Sequence, residues 1–176
     1  MSARGPLPDI LGPSLRALFV GINPGLRSAR ERHHFANPAN GFWRLLHESG
    51  FTPRRLLPEE DRLLPEFGLG ITNIVARASP GVSDLTRAEL LAGATSLGRR
   101  IERHAPRAVV FVGIMVWAPF ARRFGLATSP DRCGEQPARF AEARLFVLPN
   151  PSGRNAHFTY AQMLALYRQA ALALSA

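Results

Sequence analysis

Lysine is absent from this chain of 176 residues, and all 22 of its basic residues are arginine. A Walker phosphate-binding loop needs a lysine, and so does a lysine Schiff base, so the sequence excludes both kinds of chemistry. Cys133 is the only cysteine, which excludes disulfides, iron–sulfur clusters and cysteine-rich zinc sites within one chain. The five histidines lack metal-ligand spacing. We therefore predict a protein with neither a metal nor a cofactor.

Long apolar runs are also lacking. None reaches the ~18 residues that a membrane-spanning helix needs, and the N-terminus has no apolar segment typical of a signal peptide. This predicts a soluble, cytoplasmic protein without a membrane partner. The length suits one domain, which we place at residues 16–176, after a loosely ordered segment at residues 1–15 that is rich in proline and glycine.

Negative charge is scarce, because 13 acidic residues stand against 22 basic ones and the net charge is +9. Such an excess favours a polyanionic partner. A bias in genomic base composition explains the arginines equally well, and the sequence leaves both explanations open. The pairs Arg54–Arg55, Arg99–Arg100 and Arg122–Arg123 are predicted to lie on solvated faces, where some can contact phosphates.

An alternation of strands and helices is what the sequence does contain. Apolar runs at residues 17–22, 68–76 and 108–114, and a fourth within 144–153, predict strands of a parallel sheet that is buried on both faces. Residues 125–143 are polar and predict a loop or an edge hairpin. Strands that alternate with helices predict an α/β fold, a three-layer α/β/α sandwich around a central, mostly parallel sheet.

Capping patterns place the helices. Asn37 is the predicted N-cap of one helix, with Pro38 at its first position and Gly50 after its end. The sequence "TRAE" at residues 86–89 is a capping box, and it begins a helix that runs to about Arg103. Two further helices are predicted, around "MVWAPFARRF" and over "TYAQMLALYRQAALAL".

Three turns follow predicted strands: "NPGL" after the first, "RASPGVSD" after the second and "NPSGR" after the fourth. In open parallel sheets the ligand crevice lies beyond the carboxyl ends of the strands, so we expect these turns to meet there. Asn23, in the first turn, cannot act as a strong base, but its amide can accept a hydrogen bond from a water and fix its position. That suits a bond whose leaving group departs early, such as a glycosidic bond to a base. The alternative is an asparagine that caps its own turn.

Two further side chains on these loops have both a functional and a structural interpretation. Phe35 precedes the predicted helix cap and can stack on a flipped base, or it can pack on Phe42 or Trp43 as a hydrophobic staple. Asp84 can steady a positively charged sugar or take a proton from water, or it can complement the dipole of the following helix.

The third turn offers the backbone amides of Ser152 and Gly153 and the long side chain of Arg154. Such a loop can grip DNA phosphates while Arg154 enters the space that a flipped base vacates. Its alternative is an ordinary strand-to-helix connection with a solvated arginine.

Four motifs in this order resemble the mismatch-specific uracil/thymine-DNA glycosylases of the uracil-DNA glycosylase superfamily: "GINPGL", "HHFANPANGFW", "GITNIVARASPGVSDL" and "LPNPSGRNAHF". The resemblance covers residues 17–172. It implies a four-stranded parallel sheet flanked by helices. It also implies hydrolysis of the N-glycosidic bond of uracil in double-stranded DNA, chiefly where uracil lies opposite guanine.

The resemblance further implies roles for individual residues. Asn23 matches the asparagine that holds the water, Phe35 matches the aromatic residue that stacks on the uracil, and Ile22 matches a residue whose backbone contacts the base. Ser28 and His34 fall near the pocket wall.

Asn73 stands where the well-known bacterial pattern has a lysine, and it completes the predicted base-binding set. The loop "NPSGR" matches the one that wedges into the duplex, so Ser152, Gly153 and Arg154 are its predicted DNA-binding residues.

The sequence therefore predicts a monomeric, monofunctional DNA glycosylase of the bacterial cytoplasm that associates with the nucleoid through DNA binding. It flips uracil out of the duplex and uses Asn23 and Asp84 as catalytic residues. Because lysine is absent, it leaves an abasic site without cutting the strand. The alternative is a DNA-binding module that recognises mismatches or abasic sites without turnover, and substitution of Asn23 distinguishes the two.

Overall fold

A single mixed sheet organises the protein, for which a computed structural model describes residues 6–129 and 132–175. Its strands are β1 (Ala17–Gly21), β2 (Leu69–Asn73), β3 (Ala108–Val112), β4 (Gly134–Phe140) and β5 (Ala143–Leu148). Their order is β2-β1-β3-β5-β4, and every neighbouring pair is parallel except β4 with β5. The helices are α1 (Leu26–Glu31), α2 (Phe42–Glu48), α3 (Arg87–His104), α4 (Ile114–Phe124) and α5 (Tyr160–Ala173).

The predicted α/β fold and its parallel strands are confirmed, but the strand count differs. The sheet has five strands where four were predicted. The additional strand, β4, is antiparallel to β5 and lies in the segment that was predicted as a loop or an edge hairpin. Most side chains of β4 are at least partly exposed, so its sequence "GEQPARF" lacks the apolar run that marks the buried strands.

Alternation along the strands produces the two outer layers. Phe19 and Val110 belong to a core that packs against α2 and α5, whereas Val20 and Val109 belong to a second core that packs against α3 and α4. Successive side chains of a strand point to opposite faces, so a strand that is apolar throughout needs a layer of helices on each side.

Local hydrogen bonds explain where the helices begin. The predicted capping box is present, since Thr86 accepts from the Glu89 amide and α3 follows it. The predicted start of α2 at Pro38 is wrong. Asn37 and Asn40 instead bond the backbone amides two residues ahead, and these turns delay the helix to Phe42.

The described part of the N-terminal segment, residues 6–15, packs on the sheet. Leu7 and Leu15 are buried, and Ile10 forms an antiparallel bridge to Ile71 of β2. The segment was predicted to be loosely ordered. Residues 6–15 instead pack along the edge of β2. Residues 1–5 lie outside the described residues. None of the helices in the described ranges is both long enough and apolar enough to pass through a bilayer.

Candidate active site

The C-terminal ends of β1, β2 and β5 bring three loops to one edge of the sheet. The chain passes from β1 to β2 on one side and then to β3 on the other side of β1, so the strand order reverses beside β1. A reversal of this kind opens a crevice beyond the strand ends. The candidate site lies at this edge.

The side-chain amide of Asn23 is held by the loop that follows β2. Its Nδ2 donates to the Arg77 carbonyl at 2.9 Å and to Ser79 Oγ at 2.8 Å. A carbonyl only accepts, so the Arg77 contact fixes which end of the amide is the nitrogen. Ser79 Oγ itself donates to the Gly81 carbonyl at 2.7 Å, which leaves its lone pairs to Asn23.

The other end of that amide has a different environment. No group in the described ranges donates a hydrogen bond to Asn23 Oδ1, and the residue is half-buried. The amide therefore cross-links two loops and does not cap its own turn, which was the structural alternative. What remains is an oriented carbonyl oxygen that can accept a hydrogen bond from a water molecule.

Asn73 and Phe35 meet over the last residue of β1. Gly21 pairs with Asn73, and a Cβ at position 21 would lie 2.6 Å from Asn73 Oδ1 and 3.6 Å from Phe35 Cζ. A side chain at position 21 would therefore collide with the Asn73 amide. Both Asn73 and Phe35 are half-buried. The strand end thus presents an amide, which can donate and accept hydrogen bonds, next to an aromatic ring that can stack.

Phe35 is in a strained conformation. Its φ of 50° lies in the left-handed region, which costs a residue with a side chain about 1–2 kcal/mol. Its ring stacks on Phe42 with centroids 4.0 Å apart and 17° between the planes. The structural interpretation of Phe35, in which its ring packs on Phe42, therefore describes one face of the ring. Because the ring is only half-buried, part of its surface stays exposed and can stack on a base. The left-handed backbone at Phe35 is unfavourable, so contacts of the neighbouring residues must hold it in place.

Those neighbours include Ser28 and His34, the two residues predicted near the pocket wall. Both are buried. Ser28 Oγ accepts from the Ala36 amide at 3.0 Å, and Asp61 Oδ2 accepts from the His34 amide at 2.9 Å. The structure therefore gives these residues contacts that fix the backbone on either side of Phe35.

The imidazole of His34 extends this arrangement to the N-terminal segment. Its Nε2 lies 2.9 Å from the Pro8 carbonyl, and the acceptor identifies Nε2 as the protonated nitrogen. Burial lowers the pKa of His34 below its ordinary value, against the opposing influence of the Pro8 carbonyl and Asp61. His34 is thus a neutral donor near neutral pH.

Asp84 is exposed and ends a 3₁₀ turn at Val82–Asp84. Its Oδ2 accepts from the Gly81 amide at 3.0 Å, and its carbonyl accepts from Arg77 Nη2 at 2.8 Å. Helix α3 begins later and has Thr86 as its own cap. The carboxylate therefore closes its own turn, and through Gly81 it shares a hydrogen-bonded loop with Ser79.

Backbone contacts at Ile22 also join the first two loops. The Ile22 carbonyl accepts from the Val75 amide at 2.9 Å, and the Pro24 carbonyl accepts from the Ser79 amide at 3.2 Å. The side chain of Ile22 packs against the core under α3 and α4. These contacts continue the pairing of β1 and β2 beyond the strands.

The loop after β5 is bonded mainly to itself. Asn150 Oδ1 accepts from the Ser152 amide at 3.0 Å, and Ser152 Oγ accepts from the Arg154 amide at 3.3 Å. The Ser152 amide is therefore already used, whereas the Gly153 amide has no acceptor among the described residues. Arg154 is exposed, and its guanidinium has no partner within the described ranges. Of the predicted phosphate-gripping groups, Gly153 and Arg154 are available.

Two cavities have linings that do not include Asn23. One of about 500 Å³ is lined by Trp117 and Arg122, and one of about 370 Å³ by Asp9 and Asp61. The described part of the chain holds no cluster of three or more histidine, cysteine or carboxylate side chains able to bind a metal.

Sequence reasoning did not single out Ser79 or Gly21, which the structure places in contact with Asn23 and Asn73. Gly21 ends an apolar strand two residues before Asn23, and Ser79 directly precedes "PG" in the second turn. Glycine and serine at such turns are common, so neither position signals a particular partner before the fold is known.

The sheet order and the polar crevice define an α/β/α sandwich with a site at its strand ends. The chain belongs to the uracil DNA glycosylase superfamily, whose family model matches residues 8–171. Its fold is similar to a solution NMR structure from Methanosarcina acetivorans, with a TM-score of 0.63, 20% identity and 99% of each chain covered. That protein is provisionally described as a uracil DNA glycosylase. Membership of this superfamily supports a DNA glycosylase, a hydrolase that acts on DNA.

Proposed function

We propose that this protein is a monofunctional DNA glycosylase that removes uracil from double-stranded DNA, chiefly from G·U mismatches. The observation that carries the proposal is the Asn23 amide. Its nitrogen is held by Arg77 and Ser79, and its oxygen has no donor within the described residues. An acceptor fixed in this way can hold a water for attack on C1′ of the sugar.

The base enters the crevice by rotating out of the duplex, which costs least at a weak G·U pair. Phe35 stacks on it, a contact worth about 1–3 kcal/mol per base. Asn73 accepts a hydrogen bond from uracil N3–H and donates one to O4, while backbone groups at Ile22 contact the base edge. Ser28 and His34 fix the segment that carries Phe35 and so limit the width of the pocket.

In the chemical step the C1′–N1 bond breaks and its electron pair leaves with the uracil ring. The water on Asn23 Oδ1 then adds its oxygen to the cationic C1′ and loses a proton. Asp84 steadies the cation or takes that proton, since its carboxylate is exposed on the neighbouring loop. An amide does not take a proton near neutral pH, so Asn23 positions the water and does not act as a base.

The absence of lysine supports a product that stays uncut. A lyase step proceeds through a Schiff base with an amine, and this chain has no lysine to provide one. Arg154 enters the space left by the base, and the Gly153 amide contacts phosphate. The protein acts as a monomer.

The test is a single-turnover assay on end-labelled duplexes with one G·U, A·U, G·T or G·C pair, in EDTA, with products resolved before and after alkali. We expect breaks only after alkali and fastest at G·U. Breaks without alkali would contradict a monofunctional enzyme. If no duplex yields alkali-labile product but G·U is still bound, the protein is a mismatch-binding module.

A further inference from the structure

Arg100 reaches from α3 to the last two residues of β2. Its Nη2 donates to the Asn73 carbonyl at 3.0 Å, and its Nη1 donates to Thr72 Oγ1 and, at 3.1 Å, to Asp9 Oδ2. Thr72 Oγ1 also donates to Asp9 Oδ1 at 2.6 Å. The prediction of a solvated Arg100 is therefore wrong, since its side chain is only 20% exposed.

This network is a poor device for stability alone. Removing a guanidinium from water is costly, and the gain from an ion pair offsets that cost only when the remaining polar groups are also bonded. Arg100 Nε is buried and has no hydrogen-bond partner, and it is the one such side-chain atom within residues 6–129 and 132–175. The network thus keeps a buried Nε–H group without an acceptor among the described residues, which is unfavourable for stability. The position of Arg100 in the fold therefore needs an explanation other than stability.

The network lies behind the side chain proposed to read the base. Thr72 and Asn73 are consecutive in β2, so their side chains point to opposite faces of the sheet. Thr72 faces Arg100 on α3, while Asn73 lies over Gly21 next to Phe35. Arg100 therefore holds the backbone of β2 on the face away from the crevice, at the residue whose amide points into it.

We propose that Arg100, clamped by Asp9, is a positioning residue that orients Asn73 toward the uracil edge. This inference rests on the proposed function. Hydrogen bonds weaken steeply with misalignment, so the Asn73 amide is useful only if the strand end is fixed. Asp9 belongs to the segment predicted to be loosely ordered, and it fixes Arg100 by binding both Nη1 and Thr72. The N-terminal segment thereby becomes part of the recognition apparatus.

The kinetic signature follows from where Asn73 acts. It contacts the base only after flipping, so a misplaced Asn73 lowers the single-turnover excision rate and leaves binding of undamaged duplex unchanged. A misplacement of about 1 Å by a distant substitution can cost up to about a hundredfold in rate. For loss of the Arg100 side chain we expect about a tenfold fall at G·U.

The test is a double-mutant cycle with Arg100→Met, Asn73→Ala and the double variant, measured by single-turnover excision at G·U. If Arg100 acts through Asn73, Arg100→Met lowers the rate about tenfold in the wild type and by no more than about twofold in the Asn73→Ala background. Arg100→Lys keeps the charge but not the planar fork, so it restores the rate only in part.

Arg144 offers a matched control. It is also a partly buried arginine that links elements, since it binds Glu135 at 2.7 Å and the Ala173 carbonyl at 2.6 Å. It lies at the β4–β5 edge, away from Asn73. Arg144→Met therefore leaves the excision rate within about twofold of the wild type.

If Arg100→Met lowers the excision rate equally in the wild type and in the Asn73→Ala background, the inference is overturned and the proposed function still stands. A wild-type rate in Asn73→Ala would also overturn it. No excision by the wild type would overturn both proposals together. If Arg100→Met does not fold, Asp9→Asn replaces it, and its smaller loss must likewise vanish in the Asn73→Ala background.

Discussion

The crevice has a braced side, formed by the loops after β1 and β2, and an unbraced side, formed by the loop after β5. At the ends of β1 and β2, side chains bind neighbouring elements: Asn23 binds Ser79 of the next loop, and Arg100 of α3 binds the Asn73 carbonyl. The loop after β5 bonds mainly within residues 150–157, and Arg154 extends from it without a partner in the described ranges. Groups that position a reacting atom must be fixed in advance, whereas a group that enters a distorted duplex must adapt to it.

The braced side has an outer layer as well. Arg77, whose carbonyl binds Asn23, also pairs with Glu89 at 2.7 Å, and this pairing lowers the pKa of Glu89 to about 2. The pair is exposed, so its contribution to stability is small, but it joins the loop to the start of α3.

The largest effect is expected from Asn23→Ala. Loss of the amide removes the acceptor for the water, and single-turnover excision at G·U falls at least about a hundredfold while duplex binding persists. Asn23→Asp keeps a side-chain oxygen but cannot donate to the Arg77 carbonyl, so we expect a comparable loss. Wild-type rates in Asn23→Ala would return Asn23 to a structural cross-link.

Next is Ser79→Ala, which removes one of the two acceptors that hold Asn23 Nδ2. The Arg77 carbonyl remains, so the amide is loosened and not released, and we expect about a tenfold lower single-turnover rate. Ser79→Thr keeps the hydroxyl and restores most of the rate. Ser83→Ala is the matched control, because Ser83 is exposed on the same loop. Equal excision rates for Ser79→Ala and Ser83→Ala would contradict a role for Ser79 in holding the Asn23 amide.

Asp84→Asn separates charge from shape. An asparagine oxygen can still accept from the Gly81 amide, so the turn is kept while the negative charge is lost. If Asp84 is catalytic, the single-turnover rate falls at least about tenfold, or about 1.4 kcal/mol, with the thermal midpoint unchanged. An unchanged rate would show that Asp84 has only a structural role, as the acceptor for the Gly81 amide in its turn.

The smallest effect on the fold comes from Arg154→Ala on the unbraced side. We expect an unchanged thermal midpoint, weaker DNA binding, and a decrease of up to about 1 in the slope of log affinity against log salt, measured by titration at several salt concentrations. Arg154→Lys keeps most of the salt dependence. An unchanged slope in Arg154→Ala would show that this arginine does not contact the duplex.

Sequence reasoning found the parallel strands because their apolar runs are continuous, and it found α3 because Thr86 and Glu89 form a local capping box. It misplaced the start of α2, since Asn37 and Asn40 compete with the helix for backbone amides. It left residues 125–143 as either a loop or an edge hairpin, because the side chains of β4 are mostly at least partly exposed and lack an apolar run; the hairpin is the one that forms. The crevice was predictable because parallel strands end at one edge. The partners of Asn23 and Asn73 were not, because Ser79 and Arg100 are remote in sequence and only the fold brings them together.

The most direct measurement is a crystal structure with a duplex that carries 2′-fluoro-2′-deoxyuridine opposite guanine. The electronegative fluorine disfavours a cationic sugar, so the base is flipped but not released. We predict a water about 3 Å from Asn23 Oδ1 and directed at C1′, with the uracil between Phe35 and Asn73. A flipped base with Asn23 Oδ1 bonded to the base or to protein, and no water directed at C1′, would contradict the account.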